Sequence, residues 1–65
     1  MTDIQIRKLI DPREFIAAWF AELPKHPTYE AAYEAIELEF IAYFGKRKYS
    51  DYNSFRIVKN RIYKK

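Results

Sequence analysis

TYEAAYEAIELEFIAYFG, residues 28–45, reads as one uninterrupted helix, and its pattern makes the rest of the chain an all-α problem. Tyr29, Ala32, Tyr33, Ile36, Phe40, Tyr43 and Phe44 recur at the three- and four-residue spacing that stacks side chains on one helical face. The helix starts near Pro27 or Thr28 and ends at Phe44, where Gly45 offers a left-handed cap. Glu30, Glu34 and Glu37 form an acidic row beside the stripe and read as a solvated face. Acids near the start and Lys46-Arg47-Lys48 just past the end both suit the helix dipole.

On the N-terminal side, a shorter helix is expected over 12–23. Asp11 is a suitable N-cap, Pro12 falls at the first helical position, and Glu14 completes a capping box. Ile10 and Phe15 occupy the positions of a hydrophobic staple across that cap. Pro24 should end the helix by disfavouring helical geometry at Leu23. Lys25-His26-Pro27 is then a connector.

On the C-terminal side, a third helix is expected over 51–63, capped by Ser50 or Asp51. Tyr52, Phe55, Val58 and Ile62 form its inward row; Asn53, Ile57, Asn60, Arg61 and Lys64 face outward. Residues 1–10 read as an arm or a short extra turn. The expectation is one all-α domain, residues 1–65: a compact three-helix bundle with a short N-terminal arm. Phe15, Trp19, Leu23, Tyr33, Ile36, Phe40, Phe55, Val58 and Ile62 should build its core.

A chain of 65 residues buries only about 60% of the surface its unfolded form exposes, so it needs unusually dense packing or a staple. Cysteine is absent, which excludes a disulfide and fits a reducing cytoplasm. One histidine is too few for a zinc site. Five Phe, six Tyr and one Trp can supply dense packing instead. The first residues lack the basic-then-apolar layout of a signal peptide, and no apolar run approaches the roughly 20 residues that span a bilayer. A soluble cytoplasmic protein with no membrane association is expected.

Charge is sharply polarised. Residues 46–65 carry eight basic residues against one acid, a net +7; residues 1–45 carry four against eight, a net −4. Like charges also stand three or four residues apart along the third helix and just past its end, Arg56 with Lys59 and Arg61 with Lys64 and Lys65. Each like-charged pair opposes helix formation by about 0.2–0.5 kcal/mol. Three readings follow. Glu37 and Glu39 could neutralise Arg56 or Lys59 while Glu30 and Glu34 meet Lys64 and Lys65. The basic end could instead grip a polyanion, with Lys46, Arg47, Lys48, Arg61, Lys64 and Lys65 on phosphates, Asn53 and Asn60 on base edges, and Tyr49 and Tyr63 free to stack. Or Ile41 and Ile57, both off the apolar stripes, could contact a protein partner or a second copy.

Catalysis is not expected. His26 sits in a connector with no nucleophile nearby, the glutamate row lacks the Glu and His spacing of bundle metal sites, and the lone Gly45 cannot make a phosphate loop. No cofactor, metal or small-molecule substrate is expected.

Tyr49-Ser50-Asp51-Tyr52-Asn53-Ser54-Phe55-Arg56, followed by Lys59 and Arg61, resembles the C-terminal segment of small helical proteins of bacteriophage and prophage type. In those, such a phrase opens a basic final helix after a glycine-basic turn, here Gly45-Lys46-Arg47-Lys48. The resemblance covers the C-terminal third and brings no active site with it. It implies a phage or mobile-element origin, hence the host cytoplasm, where small proteins often bind nucleic acid or host proteins. The sequence therefore favours a non-enzymatic protein that uses a basic C-terminal helix on an anionic partner, nucleic acid first and an acidic protein surface second. The alternative is a protein-interaction or self-assembling module, a homodimer included, that never touches nucleic acid.

Overall fold

The computed structural model describes residues 3–63. Within them the chain is all-α: α1 (Asp3–Lys8), α2 (Pro12–Glu22), a 3-10 turn (Leu23–Lys25), α3 (Tyr29–Phe44) and α4 (Tyr52–Tyr63). The three longer helices fall where hydrophobic periodicity places them.

Residues 3–10 take the short extra turn rather than the arm, the two alternatives that the sequence leaves open. Residues 3–8 form a helix, and the chain then tightens through bonds from Leu9 N–H to Ile6 oxygen (3.0 Å) and from Asp11 N–H to Lys8 oxygen (3.0 Å). Ile6 and Leu9, three residues apart, are buried, so this segment belongs to the core and is not an arm. The Asp11 N–H that a capping box would offer to Glu14 is therefore given to Lys8. Asp11 still caps α2, accepting from Arg13 N–H at 2.9 Å. Leu9 takes the buried place expected of Ile10, which is 58% exposed.

Pro24 acts differently from expectation as well. Leu23 keeps right-handed helical angles (φ −51°, ψ −46°), and the chain tightens into the 3-10 turn. Proline has no N–H to continue the α-helical ladder, which is what ends α2 here. The extended residue is His26 (φ −133°, ψ 151°), the one before Pro27.

Thr28 caps α3, its hydroxyl accepting from Ala31 N–H at 3.0 Å. Gly45 closes α3 in the left-handed region (φ 80°), its N–H donating to Ile41 oxygen at 2.8 Å. Asp51 caps α4 by accepting from Ser54 N–H at 2.8 Å.

The core is mainly aromatic. Phe15 of α2 meets Tyr33, Phe40, Tyr49 and Phe55 at ring-centroid distances of 5.3–6.2 Å. Tyr33 and Phe55 stack at 4.9 Å, joining α3 to α4. Ile16 and Ala32 are buried beside them, while Leu23, Val58 and Ile62, expected in the core, are half-buried. The ends of the α3 stripe also emerge: Tyr29 is 64% exposed and Tyr43 is 40% exposed.

Candidate nucleic-acid interface

The loop from Gly45 to Asp51 delivers α4 to its place, and a buried carboxylate holds that loop. Glu37 is fully buried, contrary to the expected solvated row. Its Oε1 accepts from Lys48 N–H (2.9 Å), and its Oε2 accepts from Tyr49 N–H (3.0 Å) and from the Tyr33 hydroxyl. Burial, and next the bond to Glu37, hold the Tyr33 phenol well above its ordinary pKa. Glu37 therefore does not reach Arg56 or Lys59, and Glu39 is exposed.

Arg47 is also spent on this loop. Its guanidinium forks onto Glu34 (Nη1 to Oε1, 3.3 Å; Nη2 to Oε2, 3.0 Å). The same group donates to the Tyr33 hydroxyl (3.3 Å) and, through Nε, to the Tyr49 carbonyl oxygen (3.1 Å). Hydrogen bonds to Glu34 and then Tyr33 raise its pKa further above the usual guanidinium range. Lys48 is half-buried: its ammonium donates to Ile10 oxygen and lies 5.7 Å from the Phe40 ring centroid and 5.6 Å from that of Tyr49. Desolvation lowers its pKa. Arg47, although exposed, is ion-paired to Glu34, and Lys48 is half-buried, so neither is the unneutralised phosphate contact that sequence reading expects. Tyr49 is packed on Phe15 (5.3 Å) and Phe55 (5.7 Å), so it is not free to stack.

The outward face of α4 is different. Asn53, Arg56, Ile57, Asn60 and Arg61 are all exposed and follow the i, i+3, i+4, i+7, i+8 spacing of one helical face. Ile57 is 50% exposed at its centre. Arg56 Nη2 donates to Asn53 Oδ1 at 2.7 Å, which orients the guanidinium without neutralising it. Lys59, on the flank, places its ammonium 5.3 Å from the Trp19 ring centroid. Ion pairs among the described residues join Lys25 to Glu22 and Arg47 to Glu34; none reaches α4. Asp51 is occupied as a cap, and the Ser54 N–H bond draws its pKa down.

The structure thus brings Asn53, Ile57, Asn60 and Arg61 together and adds Arg56. Lys46 is exposed on the rim of a shallow groove lined by Ile10, Phe40, Phe44, Arg47 and Lys48, apart from that row. Ile41 is half-buried, so it is not an open partner contact as expected. Lys64 and Lys65, and any meeting of theirs with Glu30 or Glu34, lie outside the described residues. Sequence reading passed over Arg56 as a contact although it stands three residues from Asn53 and four from Asn60.

His26, in the connector, is half-buried, its Nε2 3.1 Å from Glu22 Oε1. That hydrogen bond is the main reason Glu22 has a lowered pKa. Among the described residues no group of three His, Cys, Asp or Glu side chains could hold a metal ion, and no helix is long and apolar enough to cross a membrane. No family model, curated protein or solved structure matches the chain.

Proposed function

We propose that this protein is a non-enzymatic binding domain that lays the outward face of α4 on nucleic acid. One observation carries the reading: Arg56, Lys59 and Arg61 have no acidic partner among the described residues, although α3 carries a row of glutamates. Those glutamates are occupied with the loop or turned elsewhere, so α4 keeps its like-charge repulsion. A polyanion relieves that repulsion and releases its own counterions as it binds. Asn53 and Asn60 stand among the cations as neutral donors and acceptors able to reach base edges. The resemblance to phage proteins is in keeping with such a role.

The test is a salt titration of binding to short DNA and RNA. The logarithm of affinity should fall linearly with the logarithm of salt, with a slope of roughly −0.7 to −0.9 per phosphate neutralised. Arg56→Gln or Arg61→Gln should each flatten that slope by about one unit. Absence of binding at low salt would end the proposal and leave a protein partner as the better reading. Ile57, exposed amid the polar row, supports that second reading. It predicts a self-associated species that Ile57→Asp dissociates.

A further inference from the structure

Two exposed rings adjoin the cationic face. Phe20, near the end of α2, is 51% exposed, and Tyr63, in the last turn of α4, is 53% exposed. Their centroids lie 6.2 Å apart with the ring planes at 89°. Behind Phe20 stands the buried Trp19, at 4.9 Å. Trp19 is itself fixed: its indole N–H donates to Tyr29 oxygen at 3.0 Å, and its ring packs against those of Tyr29 (5.7 Å) and Phe55 (5.4 Å). The Lys59 ammonium lies over the same indole. On α4, Lys59 and Asn60 precede Tyr63 by four and three residues, and Arg56 precedes Asn60 by four, so these side chains are neighbours along one strip. That strip runs from the cations of α4 to the open rings.

We propose that Phe20 and Tyr63 form a stacking platform for unpaired nucleobases, with Lys59 and Arg56 taking the adjoining phosphates, so that the ligand is single-stranded nucleic acid. This rests on the reading of α4 given above and narrows it. A duplex keeps the faces of its bases stacked inside, whereas a single strand can offer them to aromatic rings. Charge argues against a second copy as the occupant. A two-fold interface brings the same patch from each chain together, and here that would bring two cationic patches face to face.

The experiment compares a short oligodeoxythymidylate with a duplex of equal length, binding the full chain and its variants. Wild type should prefer the single strand, and Trp19 emission should change on binding. Phe20→Ala and Tyr63→Ala should each weaken single-strand binding by about fivefold or more while leaving duplex binding and the salt slope unchanged. Phe20→Tyr and Tyr63→Phe, which keep the rings, should retain wild-type affinity and guard against a mere folding effect. Unchanged single-strand affinity in both alanine variants, with the salt dependence intact, would remove the platform and leave the cationic face standing. No binding of either probe at low salt would remove both. A dimer that Phe20→Asp dissociates, without oligonucleotide binding, would assign the rings to self-association and overturn the proposal.

Discussion

Glu37 shows how one side chain can set the course of a loop. A buried carboxylate is costly unless its oxygens are satisfied, and here two backbone N–H groups and a phenol do so. Glu37→Gln should destabilise the fold by about 2 kcal/mol or more, because the new amide must point a donor at a donor. Urea unfolding followed by circular dichroism measures this; an unchanged midpoint would mean that the carboxylate does not hold the loop. The position was partly legible. Glu37 stands four residues after Tyr33 and three before Phe40, on the apolar stripe, although its acidic neighbours make it look like part of a solvated row. What the sequence could not supply was the partner: the Lys48 and Tyr49 N–H groups belong to a loop whose path depends on the tertiary fold.

At the scale of elements, the long helices were legible, and the short one only as an alternative to an arm. Periodicity needs several turns, and the six residues of α1 offer fewer than two. Its stability must come from packing, as for any helix this short. Leu9→Ala, at a position 2% exposed, should therefore cost about 2–4 kcal/mol, although Leu9 lies outside the expected core. A cost under about 0.5 kcal/mol, the range of surface changes, would return residues 3–9 to the status of an arm. The basic elements divide in a similar way. Arg47→Ala should cost about 1 kcal/mol, since it loses the Glu34 fork and the bond to Tyr49 oxygen, both partly solvent-screened. Arg61→Ala should stay within about 0.5 kcal/mol of wild type. Equal, large losses at both positions would mean that α4 is neutralised internally, and the binding face would lose its rationale.

Across the whole molecule, the charge imbalance was visible in the sequence, but not the way folding divides the cations. Glu34 draws in Arg47, and the Ile10 carbonyl with the Phe40 and Tyr49 rings draws in Lys48, while Arg56 and Arg61 stay outside. The same charges govern acid stability. Glu22 and Asp51 both have folded pKa values below their ordinary 4.5 and 3.8, through hydrogen bonds with His26 and with Ser54 respectively. Their contributions to stability are complete above those ordinary values and are lost as pH falls through the depressed folded ones. Neutralising the acids also leaves 12 Lys and Arg side chains with no opposite charge to offset them, so the compact state repels itself. The urea midpoint should therefore hold level from about pH 7 to about pH 5 and fall below about pH 4. Added salt should recover part of the fall by screening, and Glu22→Gln should make the fall shallower. A midpoint flat down to about pH 2 would show that neither carboxylate prefers its ionised form in the folded chain. A fall that salt leaves untouched would instead assign the acid loss to those local hydrogen bonds rather than to the accumulated positive field.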